Sequence, residues 1–542
     1  MDPHDDLYDP GAQARANALR RLAREQLGQD PTTDDPALDM RSRPPVGLLF
    51  LALSGVLAVA VTIGLLVWAA PRPSLLARAP AATPTHAGGA CLPKAGAAIP
   101  NVRVSQDAFL AHSEPMLAQD PANPLHLVGG TKFFTDPAHY RFKIGWYSSF
   151  DGGCTWTDGQ ILPGYDDLLL TSDISFAFGA QGEVYAAVLT YGEKSESGVA
   201  VSASHDGGRT FETPVNVSFD PTGKVFSDKP WIAVDLTNGP RRGALYVVWS
   251  YDYGGDCGDG NTCIQALAFS RSTDRGMTFS AVQQVEGNAP FCTNPVPKRP
   301  TGSTRCDAVL GATPVVLPDE TLMVSFAYED LLTTGKIPTR LVSLTSRDGG
   351  ETWDAPVLIA TIADVAGRFP PEKYRNTTLP AMACDPKTGQ SYIAWSDKAT
   401  GDPDILLATS TDAGATWSAP RRVNDDPPKT GALQFQPAIA VAPNGVVSVS
   451  FFDTRADPAH IRIDVFLAQS VDHGASFRPN VRVTSVSWDP AVGAPVDSGG
   501  SQFIGDYQGL AADNQYAHPF WNDTRDGAQQ IYTAAVSSAQ PA

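Results

Sequence analysis

Beyond about residue 100 the chain alternates short apolar runs with clusters of Gly, Pro, Asp and Asn. Between 379 and 423 the order is plain: Leu379-Pro-Ala-Met-Ala-Cys-Asp385, then Ser391-Tyr-Ile-Ala-Trp395, then Asp404-Ile-Leu-Leu-Ala-Thr-Ser410, then Trp417-Ser-Ala-Pro-Arg-Arg-Val423. Runs this short, rich in β-branched and aromatic residues and bounded by turn formers, predict strands and not helices. The last run carries Pro420, which suits an edge strand because proline cannot donate to a ladder. The same order recurs at Trp231-Ile-Ala-Val-Asp235 with Leu245-Tyr-Val-Val-Trp249, and at Pro437-Ala-Ile-Ala-Val441 with Val446-Val-Ser-Val-Ser-Phe451. The pattern therefore predicts an all-β fold built from repeated four-strand units.

A polar motif punctuates each unit between its third and fourth runs. Six copies of Ser-x-Asp-x-Gly-x-Thr/Ser-Trp/Phe centre on Asp151, Asp206, Asp274, Asp348, Asp412 and Asp472, spaced 55, 68, 74, 64 and 60 residues apart. That period is expected of a stacked repeat. The carboxylate suits hydrogen bonds from turn amides and from the Thr or Ser hydroxyl. The constant Gly admits a backbone conformation that other residues resist. The aromatic residue is expected to plug the space beneath the turn. The motif resembles the Asp-box (BNR) repeat of sialidases and sialidase-like β-propellers, and the resemblance spans roughly residues 100–537.

A seventh unit follows the last box: Phe503–Leu510, His518–Trp521 and Gln530–Val536 supply three strands. The missing fourth is expected at the other end of the domain. Asn101-Val-Arg-Val-Ser105 matches Asn480-Val-Arg-Val-Thr484, the fourth strand after the sixth box. The expectation is a seven-bladed propeller closed by its N-terminal strand, which leaves only short edges. Sialidase enzymes are typically six-bladed, so six blades is the alternative if the first or last unit is irregular.

Composition places this domain outside a membrane. Residues 46–69 form an uncharged apolar run long enough to span a bilayer. Arg15, Arg20, Arg21, Arg24, Arg41 and Arg43 precede it, while Arg72 and Arg78 follow closely, so the N-terminus is expected in the cytoplasm. Residues 1–45 then form a cytoplasmic tail with a short amphipathic helix near 11–28, residues 70–100 an Ala/Pro-rich stalk, and 101–537 the propeller. All seven cysteines follow the apolar run. Cys257 with Cys263 and Cys292 with Cys306 suit local disulfides in an oxidising compartment. Cys91 is within reach of Cys154 if the closing blade neighbours the first, and Cys384 is expected to be a buried free thiol. A formal charge of −18 without a basic stripe argues against nucleic-acid binding.

The resemblance implies a site on the face opposite the boxes. In sialidases, arginines hold a substrate carboxylate through the fork of the guanidinium. A Tyr polarised by a Glu is the nucleophile and an Asp the acid/base, an exception to the usual pair of carboxylates. The family's Arg-Ile-Pro segment is missing: Ile99-Pro100-Asn-Val-Arg103 and Tyr140-Arg141-Phe-Lys lack the order. The remaining candidates are Arg375, Arg455, Arg525 and Arg141 for a ligand anion, and Tyr374, Glu372, Glu329 and Asp506 for catalysis. Asp453-Thr-Arg455 and Asp523-Thr-Arg525 repeat one motif, and the repetition favours Asp–Arg pairs that brace loops over an anion clamp. Asp256, Asp259 and Asn261 offer oxygen ligands for a structural Ca²⁺, with a solvated acidic turn as the competing reading. No cofactor is required by any motif, since there is no metal-spaced His cluster, phosphate loop or nucleophile elbow. The leading expectation is a membrane-anchored propeller that binds a glycan or another cell-surface ligand at its mouth, with or without turnover. The alternatives are an active exo-glycosidase of the exo-α-sialidase type and a scaffold of the cell envelope.

Overall fold

In a computed structural model of the chain, the described residues run from 91 to 539, apart from 94–97, 194–195, 254–263, 286, 293, 296–303, 307–308, 329–338, 366, 370–373, 378 and 498–499. The expected tail helix, the apolar run 46–69 and most of the stalk lie outside them. So do Glu372, Glu329, Asp256, Asp259, Asn261, Cys257 and Cys263. Among the described residues no helix is long and apolar enough to cross a membrane.

The chain forms seven antiparallel blades, and in the first six the strands lie in sequence order from the ring's centre outward. Blade 1 is His112–Asp120, Asn123–Asp136, Arg141–Ser149 and Gln160–Ile161, and blade 2 is Leu170–Phe178, Val184–Tyr191, Ser197–Ser204 and Val215–Asp220. Blade 3 is Val225–Val234, Leu245–Tyr253, Ile264–Ser272 and Gln283–Val285, and blade 4 is Val309–Val316, Leu322–Tyr328, Arg340–Ser346 and Val357–Thr361. Blade 5 is Ala381–Cys384, Ser391–Asp397, Asp404–Ser410 and Arg421–Arg422, and blade 6 is Gln434–Val441, Val447–Asp453, Asp464–Ser470 and Val481–Arg482. Blade 7 is Gly509–Ala512, Tyr516–Asp523 and Gln530–Thr533, and its outer strand is Val102–Arg103, with Val102 opposite Thr533 and Arg103 opposite Tyr532.

Buried apolar clusters sit between blades. One joins Ile144 and Trp146 of blade 1 to Ile174 and Val188 of blade 2. Others bridge blades 2 to 3, 3 to 4, 4 to 5, 5 to 6 and 6 to 7. The series returns to blade 1 through Phe520 and Ile531 against Leu117 and Leu127. Each sheet thus buries both faces against neighbours, which is why its strands read as continuous apolar runs.

All six boxes adopt one turn. The Ser hydroxyl donates to the Asp Oδ1 at 2.7–2.9 Å. The box Gly amide donates to that Ser Oγ at 2.7–2.9 Å. The Thr or Ser hydroxyl donates to Asp Oδ2 at 2.5–2.7 Å. The constant Gly has φ of 78–90° in every copy, the left-handed region that disfavours a side chain. The aromatic residue also reaches the preceding blade, while in the first box Trp156 keeps its own turn by donating its indole N–H to the Gly153 carbonyl at 3.1 Å. Phe211 meets Trp146 at 5.1 Å, Trp353 meets Phe269 at 5.2 Å, and Trp156 meets Phe520 at 5.5 Å.

Cys91 is bonded to Cys154 and Cys292 to Cys306, while Cys384 is free and half-buried with its thiol 3.6 Å from the Val316 carbonyl oxygen. The topology puts the box turns on one face of the ring. The turns after second strands and the connections between blades lie on the other, which is the mouth.

Candidate functional site

The first strand of a blade lines the central axis, and in five blades it is broken by a bulge near its start. The bulged residues are Glu114, Asp173, Lys229, Gly311 and Gln436, all with φ of 45–65°. Each falls where the pairing to the second strand shifts register. A bulge re-aims a side chain, and here three charged ones converge near the axis on the mouth side of the ring.

Lys229 Nζ lies 3.1 Å from Asp173 Oδ1, 3.0 Å from Asp506 Oδ2 and 3.9 Å from Glu114 Oε1. Lys132, from the second strand of blade 1, contacts Glu114 Oε2. Asp506, from the connection into blade 7, also takes Arg375 Nε at 3.0 Å, Arg375 Nη2 at 2.6 Å and the Thr377 hydroxyl at 2.9 Å. Groups from blades 1, 2, 3 and 7 and from the blade 4–5 connection can meet only near the axis. Three carboxylates face three bases, and all but Arg375 are buried.

Burial is expensive for each charge and the partners decide the outcome. Burial, with Asp173 alongside, pushes the Glu114 carboxyl up to about 7 against the pull of Lys132 and Lys229. Burial would raise Asp173 too, but Lys229, Lys132 and the Ser172 hydroxyl hold it below the usual carboxylate range. Burial works to depress Lys229, and Asp173, Asp506 and Glu114 outweigh it, so the amine stays protonated. Burial likewise keeps the phenols of Tyr507 and Tyr140 neutral.

Aromatic rings surround the cluster. Phe503 carries a cation on its ring from each of two sources, Lys132 Nζ at 4.8 Å and Arg375 Cζ at 4.5 Å from the centroid. Tyr140 packs edge-on to Phe142 at 5.2 Å and to Phe503 at 5.5 Å. Tyr191 stacks on Phe226 at 5.7 Å. Arg375 is the member of the charged cluster that reaches solvent, its side chain 18% exposed.

Of the residues singled out from sequence, Arg375 and Asp506 are brought together as a bidentate pair. Tyr374 is turned away, its ring buried 5.6 Å from Phe369 and 5.8 Å from Phe435. Arg455 Nε holds Asp453 Oδ2 at 2.7 Å, and its other nitrogens reach Asp425, Asp426 and Asn480. Arg525 Nε holds Asp523 Oδ2 at 2.8 Å and Nη1 takes Asn101 Oδ1 at 2.8 Å. Both arginines of the repeated motif therefore brace loops between blades. Burial pushes Asp453 up to about 6 against the opposing charge of Arg455. Arg141 is exposed at the start of its strand. Sequence reasoning missed Glu114, Asp173, Lys229, Lys132 and Phe503. One signal was present: Glu114-Pro115, Lys229-Pro230 and Gln436-Pro437 each place a polar residue before proline at the start of a first strand.

No family model matches this chain, and no curated protein matches it either. Solved structures with a similar course of chain include a protein of unknown function from Dyadobacter fermentans, 13% identical with a TM-score of 0.44, covering 81% of this chain and 98% of that one. A Hadza microbial sialidase, Hz136, is 14% identical with a TM-score of 0.41 over 77% of this chain and 74% of that one. The α-L-arabinofuranosidase Arb93A from Fusarium graminearum is 14% identical with a TM-score of 0.40 over 68% of this chain and 97% of that one.

Proposed function

We propose that the protein is a sialidase-like propeller that binds a glycan or another extracellular ligand at its mouth, held at the cell surface by residues 46–69. The observation that carries this reading is Arg375, partly exposed above a buried charged cluster and laid on the ring of Phe503, with Tyr140 and Phe142 beside it. Phe503 and Phe142 are themselves buried and hold the guanidinium from behind, so Arg375 and the half-buried Tyr140 are the groups a ligand at the mouth would meet. Arg455 and Arg525 are spent on Asp453 and Asp523, which leaves no three-arginine clamp among the described residues and favours binding over turnover. The pairing of Val102–Arg103 with blade 7 is read as the clasp that keeps the mouth in one shape. The test is a glycan array probed with the full-length protein in detergent and with Arg375→Ala. Binding lost in the variant supports the reading, and binding that ignores Arg375 sinks it.

A second reading, an exo-glycosidase, draws on Glu114, the carboxyl that burial raises to about 7; its oxygens are fully buried, so it would serve as a general acid only if the mouth opens on binding. Hydrolysis of a fluorogenic sialoside that is abolished in Glu114→Gln would establish it; no turnover by folded protein would exclude that substrate.

A further inference from the structure

In blades 1 to 6 main chain holds the outer strand at both ends, by the box turn on one face and by the connection to the next blade on the other. Blade 7 lacks the first of these holds. After Gln530–Thr533 the chain turns back, and Val536–Ser537 pairs with Tyr516–Ala517 instead of adding an outer strand. The outer position is taken by Val102–Arg103 from the other end of the sequence. Main chain joins that strand to blade 1 on the mouth side, and no turn holds its box end to blade 7.

Cys154 supplies a substitute. It stands in the first box, where the other boxes carry Arg209, Met277, Glu351, Ala415 and Ala475, and it is bonded to Cys91, upstream of Val102. The strand is therefore tied to blade 1 twice, by main chain on the mouth side and by this bond on the box side. A strand tied at both ends has no loose end from which to peel.

Between the ties its own hold is slight. Two residue pairs join it to Gln530–Thr533, the Val104 amide donates to the Ile531 carbonyl at 2.8 Å, and Val104 is buried. The other contacts are polar. Asn101 Nδ2 donates to the Val483 carbonyl at 2.9 Å, and Arg525 Nη1 donates to Asn101 Oδ1 at 2.8 Å. Arg103 meets Asp526 at 3.2 Å, with side chains 40% and 38% exposed, and an ion pair so placed contributes little.

The seam that this strand covers leads to the mouth. Ser105 Oγ donates to Gln530 Oε1 at 2.6 Å. The neighbouring Gln529 exchanges hydrogen bonds with His112: the His112 amide donates to its carbonyl at 2.9 Å, and its Nε2 donates to the His112 carbonyl at 2.7 Å. Glu114 of the axial cluster follows His112 on the same strand.

The two disulfides among the described residues differ in access. Cys91 and Cys154 are half-buried, whereas Cys292 and Cys306 are buried. Exchange requires a thiolate to reach a sulfur, so the first bond is open to a reductant that the second shuts out.

We propose that Cys91–Cys154 is a redox-sensitive latch on the ring: a dithiol that cuts it releases the box end of Val102–Arg103 and loosens the seam between blades 7 and 1 beneath the mouth. The dithiol passes two electrons and two protons to the cysteine sulfurs; their S–S bond breaks as the reductant's own disulfide forms. This rests on reading Val102–Arg103 as the ring's clasp, and not on the mouth binding a ligand.

The experiment treats the full-length protein in detergent with graded dithiothreitol, alkylates the thiols, maps them by mass spectrometry and follows hydrogen exchange on the same samples. Cys91 and Cys154 are expected to be alkylated before Cys292 and Cys306. Once they are, exchange in the peptides carrying Val104, His112 and Ile531 is expected to rise about tenfold, while that around Ile393, buried in blade 5, stays level. Cys154→Ser is expected to show the same rise without reductant, and the reduced wild type answers the question if that variant does not fold. Unchanged exchange at Val104 and Ile531 after the bond is cut overturns the proposal, as does cleavage of both disulfides together. A rise spread evenly over all blades also overturns it, since that is loss of the whole fold. A rise that stops short of His112 overturns the step from strand to seam. The glycan array decides the mouth reading separately.

Discussion

Lys229 on blade 3 and Asp506 before blade 7 meet at 3.0 Å across 277 residues of sequence. They meet because each lies beside the axis, Lys229 at a left-handed bulge and Asp506 just after Gly505, whose φ is 88°. Removing one member of a buried pair leaves the other uncompensated, at about 3–5 kcal/mol. Lys229→Met is therefore expected to lower stability by about that amount in urea titrations. A loss below about 1 kcal/mol would mean that water reaches the cluster.

Glu114 makes stability depend on pH. Its folded-state carboxyl sits at about 7 and its ordinary value is 4.5, so between those pH values the folded protein binds more protons than the unfolded chain. Its contribution is complete below about pH 4.5 and is lost as pH rises through about 7. Relative to Glu114→Gln, the wild type should lose on the order of 3 kcal/mol between about pH 4.5 and pH 7.5. Parallel urea titrations of the two proteins across that range check the sign, and parallel curves would contradict it.

The box carboxylates carry the opposite dependence. Burial would raise Asp348, but hydrogen bonds from Thr352 and Ser346 outweigh it and lower the carboxyl to about 2. Its contribution is present above the ordinary value of 3.8 and vanishes as pH falls through about 2. Asp348→Ala removes the acceptor for the Ser346 hydroxyl and for the Thr352 amide and hydroxyl. It should cost about 1–3 kcal/mol in a denaturant titration. Ligand binding should be unchanged, since this turn lies on the face away from the mouth.

Gly350 is needed for two reasons at once. Its φ is 90°, and a Cβ there would fall 2.1 Å from Phe269 Cζ of the preceding blade. Gly243, with φ of 88°, has nothing within 4 Å of the same position. Gly350→Ala should lower the melting midpoint clearly more than Gly243→Ala, which carries only backbone strain of about 1 kcal/mol. Equal shifts would show that the blades part freely at that contact.

Much of the ring was legible because the repeat is local. The match between Asn101-Val-Arg-Val-Ser105 and Asn480-Val-Arg-Val-Thr484 has a direct structural counterpart. Asn480 Nδ2 donates to the Val423 carbonyl at 3.3 Å, and Asn101 Nδ2 donates to the Val483 carbonyl at 2.9 Å. Arg455 reaches Asn480 as Arg525 reaches Asn101. The bracing role read from the two Asp-Thr-Arg motifs was legible for the same reason, since each Asp and Arg lie two residues apart. The pairing of Tyr374 with Arg375 at the mouth was not, because adjacent residues on a strand point to opposite faces, and Tyr374 turns into the core.

By itself the sequence determined what is built from neighbours: the strand runs, the box turns, and the count of seven units, since each depends on contacts a few residues apart. The tertiary structure decided the site. Glu114, Asp173, Lys229, Arg375 and Asp506 come from five separate segments, and no spacing relates them. Only closing the ring brings their charges to one axis, and only burial there makes the proton on Glu114 sensitive to pH near neutrality.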